Sequence, residues 1–146
     1  MPTTRRSRTI GATPEQVWRT VCDPHHLPRW WPRVQRVEAV DRERFTEVLG
    51  TEKGHSVRAD FVVLESRAPE VRRFRQEIEG SPFERLLRSA DTTIRLAPDG
   101  AGATRVTIEI RQRLRGAGAL GGFMVRRATR RVADAALDGL ARLHGH

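Results

Sequence analysis

The sequence has one cysteine, Cys22, and no tyrosine. A lone thiol excludes an internal disulfide and any metal site built on clustered cysteines, and it fits a reducing cytoplasm. Without tyrosine there is no phenol to serve as an acid in a site. Long apolar runs are missing too. None approaches the roughly 20 residues that a membrane-spanning helix needs, and the basic start MPTTRRSRTI has no apolar stretch behind it of the kind a secretory signal carries. Lysine is nearly absent: Lys53 is the only one, so 27 basic residues minus one leaves 26 arginines. That imbalance, with abundant Ala and Gly, is what codon bias in a GC-rich genome produces.

What is present bounds the chain further. A length of 146 residues suits one domain, 1–146, with a real core. The net charge of +9 favours anionic surfaces and keeps an RNA- or ribosome-binding reading open. The arginines, however, are spread over strands and helix and are not gathered in one tail. The five histidines are His25, His26, His55, His144 and His146. No two have the i, i+4 spacing of a helical zinc site, so neither a metal nor a cofactor is expected. There is no GxSxG motif, and Ser56, Ser66, Ser81 and Ser89 lack a nucleophile context.

Along the chain, residues 3–10 read as a first strand. Thr13-Pro14 with Gln16 has capping-box spacing and proline at the first helical position, and Val17, Trp18 and Val21 form a short apolar face. Asp23-Pro24 is a second helix start. This helix is expected over about 24–30, stopped by Pro28 and Pro32. Strands follow over 33–40, 45–50, 55–66, 71–78, 84–97 and 103–115, separated by turn residues such as Ala68-Pro69-Glu70, Gly80-Ser81-Pro82 and Pro98-Asp99-Gly100. Strand 103–115 alternates most cleanly, with Val106, Ile108, Ile110, Gln112 and Leu114 on one face. In 71–78 Phe74, Gln76 and Ile78 share a face. In 84–97 strict alternation places Arg88 with Leu86, Ala90, Thr92, Ile94 and Leu96; a bulge would instead turn Arg88 to solvent. The glycine-rich joint 116–122 leads to the one long helix, 118–144. Its 3.6-residue stripe is Val125, Ala128, Val132, Ala135, Ala136, Gly139, Leu140 and Leu143.

The order is strand, two short helices, six strands, long helix. It resembles the Bet v 1-like, START-like (SRPBCC) superfamily, in particular its bacterial polyketide cyclase/dehydrase and lipid-transport branch. The likeness rests on Ile10 to Trp18, Asp23 to Pro32, Val34 to Glu38, Glu65 to Pro69 and Pro98 to Val106. The resemblance implies an α+β helix-grip fold: a curved antiparallel sheet of about seven strands wrapped round the C-terminal helix. It also implies a cavity between that helix and the concave face. Members of the superfamily include aromatic cyclases, lipid and quinone carriers, hormone receptors, stress proteins and a ribosome-associated toxin, so the fold leaves function open.

Residues expected at the cavity are Trp30, Trp31, Phe74, Gln76, Arg88, Ile110, Gln112, Met124, Ala128 and Val132. Two adjacent indoles cannot both point inward, so one of Trp30 and Trp31 is expected under the last helix and the other at the mouth. Arg88, buried only if partnered, pairs with Asp60 or awaits a ligand. Arg88, His26 and Asp60 are the catalytic candidates. The leading expectation is a cytoplasmic binder of a lipid, isoprenoid, quinone or polyketide. The alternatives are an aromatase/cyclase working in the same cavity and the RNA- or ribosome-binding module.

Overall fold

The computed structural model describes residues 3–116 and 118–145. Ala117 in the glycine-rich joint, the first two residues and His146 lie outside the described residues. The elements are β1 (Thr3–Ile10), α1 (Pro14–Val21), a 3-10 turn (Pro24–His26), α2 (Leu27–Trp30), β2 (Val34–Glu38), β3 (Arg44–Gly50), β4 (Ser56–Arg67), β5 (Val71–Glu77), β6 (Leu87–Pro98), β7 (Thr104–Leu114) and α3 (Gly118–Leu143). The seven strands form one sheet in the order β1-β7-β6-β5-β4-β3-β2, every neighbouring pair antiparallel. Strands β2 to β7 are thus a meander, and β1 returns to pair with β7. The expected helix-grip architecture is present. No described helix is long and apolar enough to cross a membrane.

Local chemistry sets the boundaries. Thr13 caps α1 through its hydroxyl, Gln16 reaches back to the Thr13 N–H at 2.8 Å, and Pro14 occupies the first turn. Asp23 caps the next turn by accepting from the His25 N–H. Pro28 does not stop the second helix as expected. It sits in the first turn of α2, where its missing N–H has no helical partner to lose.

The helices between β1 and β2 close one end of the groove, and α3 packs on β1, β7 and α2. Its C-terminal half is deeply buried through Ala133, Ala136, Leu137, Leu140 and Ala141. These meet Ile10, Val17, Val106 and Ile108 in the core. The buried stripe is rotated from the expected one: Ala133, Leu137 and Ala141 join it, while Ala128 is exposed and Ala135 half-buried. The cause is a wedge position, with sheet on one side and α2 on the other, which buries a broader arc than a single contact face. Arg6 and Arg8 of β1 reach Asp134 and Asp138 of α3. These exposed pairs fix alignment more than they add stability.

One irregularity decides a side chain's fate. In β6, Leu87 pairs with Leu114 and Ser89 with Arg113, so Arg88 is an extra residue on its strand. That bulge breaks the alternation. Leu87 is buried, Arg88 is exposed, and the inward face resumes at Ala90, Thr92, Ile94 and Leu96.

Candidate ligand-binding site

A cavity of about 390 Å³ lies between the concave face and the N-terminal half of α3. The register explains why there is space. Phe61 pairs with Gln76, and Arg75 with Asp91, so Gln76 stands next to Ala90, which pairs in turn with Gln112. One row of the floor therefore reads Phe61, Gln76, Ala90, Gln112. The next row contains Ala59 paired with Glu47. Ala59 and Ala90 are the small residues of these rows, and the void sits over them. Phe61 and Phe74 form one wall. They are held by Phe45, which stacks on Phe61 at 5.0 Å and meets Phe74 edge-on at 5.3 Å. Such aromatic packing fixes ring positions beyond simple burial.

The two indoles divide their tasks. Trp30 is 3% exposed and belongs to the core under α3, whereas Trp31 lines the cavity. Their rings meet edge-to-face at 5.4 Å and 78°. From α3, Ala128, Thr129 and Val132 face the cavity. The single Thr129 hydroxyl proton is shared between the Val125 carbonyl oxygen at 2.8 Å and the Gln112 Oε1 at 3.1 Å, the second contact linking helix to floor.

Of the residues expected at the site, the structure brings together Trp31, Phe74, Gln76, Ile110, Gln112, Ala128 and Val132. Trp30, Arg88 and Met124 are elsewhere. Trp30 faces the core, Arg88 is turned out by the bulge, and Met124 is 63% exposed on the outer side of α3. Asp60 does not meet Arg88. It is exposed and accepts from the Thr46 hydroxyl at 2.6 Å. His26 lies in the turn before α2, with its Nδ1 3.3 Å from Arg29 Nη1 and its Nε2 3.8 Å from Asp23, and it does not line the cavity. Cys22 is half-buried, and burial pushes its thiol up from the ordinary value.

Two features went unread in the sequence. Glu47 lines the cavity at 4% exposure, and its carboxyl makes no hydrogen bond or ion pair with a described residue. Burial alone pushes its pKa up to about 8, so it carries a proton at neutral pH. The signal was its place between Phe45 and Leu49 in β3, obscured by Val48 on the opposite parity. The second is Arg72, 7% exposed on the inward parity of β5 but outside the cavity lining. It donates to the Ser66 hydroxyl at 3.0 Å, and burial lowers its pKa. The Gln76 amide nitrogen is likewise shut off from solvent and has no partner.

A family model described as polyketide cyclase/dehydrase and lipid transport matches residues 1–145. The chain belongs to that family. Among solved structures, a START superfamily protein from Mycobacterium smegmatis superposes with TM-score 0.81 at 12% identity, covering 98% of this chain and 97% of the other. The di-domain ARO/CYC BexL from the BE-7585A biosynthetic pathway gives 0.81 at 22% identity, over 97% of this chain and 46% of that one. A protein from Thermus thermophilus gives 0.77 at 25% identity, over 97% and 95%. No curated protein sequence matches the chain. Family and fold together point to hydrophobic ligand binding or polyketide cyclase-like activity.

Proposed function

We propose that the protein binds a hydrophobic small molecule of the lipid, isoprenoid, quinone or polyketide type between the sheet and α3. The observation that carries this reading is the cavity itself: about 390 Å³, walled by Trp31, Phe61, Phe74 and Ile110, with Glu47, Gln76 and Gln112 as the polar groups of the floor rows. Small-molecule sites commonly run from roughly 300 to 1,000 Å³ with this balance of apolar wall and sparse polar anchors. Affinity would come from apolar burial, at about 0.8 kcal/mol per methylene removed from water. The polar groups would set orientation. Native mass spectrometry of the protein as purified tests the reading: a co-purifying apolar molecule at one per chain supports it, and a chain that stays empty when apolar compounds are supplied refutes it.

Glu47 favours a second reading, a cyclase acting in the same cavity. A carboxyl whose pKa is about 8 can give and take a proton near neutral pH, beside a ligand that the walls hold folded. On this reading Glu47→Gln abolishes conversion of a poly-β-ketone while leaving product binding intact. On the carrier reading the substitution has no turnover to remove.

A further inference from the structure

We propose that the N-terminal half of α3 is a docking face for an anionic phospholipid bilayer. Leu120, Phe123 and Met124 enter the headgroup boundary, and Arg127, Arg130 and Arg131 meet lipid phosphates. The inference goes beyond the binding reading and does not depend on what the cavity holds.

The apolar part of the face is the first support. Among the described residues the exposed large apolar side chains are Leu64, Leu86, Leu120, Phe123 and Met124. The last three fall within five consecutive positions of α3, at between 53% and 75% exposure. Spacings of three and four residues put them on one face of the helix. The same half of α3 turns Gly122, Thr129 and Ala133 inward instead. Single apolar side chains on a surface are ordinary, but a cluster marks an interaction site.

The same face continues into charge. Arg127 lies one turn beyond Phe123 and Met124, and Arg130 and Arg131 one turn beyond that; all three are exposed, and Arg126 flanks them. Residues 118–133 contain these four arginines and no acidic residue. None of the four guanidinium groups has an ion pair or hydrogen bond with a described residue. The next acids along the helix, Asp134 and Asp138, are held by Arg6 and Arg8 of β1. Leu86 and Arg115, both exposed, extend the surface where β7 leads into α3: the Arg115 N–H donates to the Leu86 carbonyl oxygen at 2.8 Å.

Charge and apolarity together select the occupant. Apolar side chains of a docked helix sink about 5–10 Å into the headgroup and acyl boundary. One helical turn, about 5.4 Å, then lifts the arginines to phosphate level. A nucleic acid would use the arginines and leave the apolar trio in water. A second copy packed across a twofold axis would set four arginines against four. Only the anionic bilayer answers both halves of the face. Ala128 is exposed and also lines the cavity, so the docking face adjoins the cavity's open side.

Vesicle flotation tests the proposal, with vesicles of three parts phosphatidylcholine to one part phosphatidylglycerol beside vesicles of phosphatidylcholine alone. The native protein is expected to bind the anionic vesicles at least tenfold tighter, with the preference shrinking as salt rises. Two variants should each lose at least tenfold on anionic vesicles: the triple variant Leu120→Ser, Phe123→Ser, Met124→Ser and the double variant Arg127→Glu, Arg131→Glu. All five side chains are exposed, so thermal unfolding should be unchanged in both. Arg73→Glu with Arg95→Glu alters the net charge equally at exposed positions of β5 and β6, and should bind as the native protein does. Absence of a preference for anionic vesicles overturns the inference. So does an equal loss in the β5/β6 variant, which would show attraction by net charge alone. Undiminished binding by the triple variant, with polyuridylate bound as tightly as vesicles, would mark a nucleic-acid surface instead. A dimer in sedimentation that the triple variant dissolves would mark a second copy as the occupant. Each of these results leaves the cavity-binding reading standing.

Discussion

Gly139 of α3 rests directly on the backbone of Trp30: a Cβ built there would lie 2.4 Å from the Trp30 carbonyl oxygen and 2.9 Å from its Cα. The long helix can therefore approach α2 only because this position has no side chain. Glycine in a helix interior is ordinarily worse than alanine by about 1 kcal/mol. Here the order should reverse. Gly139→Ala is expected to destabilise the fold by about 1–3 kcal/mol, as overpacked contacts do, and the clash is with backbone, which cannot rotate away. Denaturant unfolding measures it; a stabilised variant would show that helix and turn are not in contact.

The two tryptophans should separate stability from binding. Trp30 is in the core, so Trp30→Ala is expected to cost about 3–5 kcal/mol. Trp31 is half-buried at the cavity. Trp31→Ala should cost about 1 kcal/mol of stability, chiefly the edge-to-face contact with Trp30, but weaken an apolar ligand by tenfold or more. Paired thermal melts and titrations check this, and equal stability losses would contradict the assignment.

Glu47 should leave a mark on the pH dependence of stability. Unfolded, it releases its proton near 4.5; folded, it keeps it to about pH 8. Between those values the folded state binds the extra proton, so stability falls as pH rises, at up to about 1.4 kcal/mol per unit. The loss is complete once the pH has passed the folded value. Relative to Glu47→Gln, the native protein should therefore lose ground steadily from about pH 5 to 8. A constant difference between the two proteins over that range would show that Glu47 is not held neutral.

Much of the frame was legible because local signals agreed. Thr13, Pro14 and Gln16 announced α1, and the alternation of Val106, Ile108 and Ile110 fixed the facing of β7. That same alternation put Gln112 inside, and Phe74 carried Gln76 with it. For Arg88 two facings stay open in the sequence, the cavity side by strict alternation or solvent by a bulge, and β6 has the bulge: one extra residue reverses every facing before it, and no periodicity within that strand decides between them. Glu47 was missed because Phe45 and Val48 are both buried in β3, so neither parity stood out as the inner one. Met124 shows the limit of reading a helix in isolation. The pattern along α3 could not say that the helix lies along the β1 and β7 side, which leaves the outer flank of its N-terminal half uncovered.

The central claim is that the space over Ala59 and Ala90 is where a ligand sits. The most direct measurement is ligand titration of Ala90→Leu beside the native protein, with unfolding followed on both. A leucine there adds volume toward the void, at the edge of the small cluster that Ala90 forms with Ile78 and Leu87. The account predicts that the variant folds with stability within about 1 kcal/mol of the native protein and loses apolar-ligand binding at least tenfold. Undiminished binding by a folded Ala90→Leu variant would place the ligand elsewhere and contradict the account.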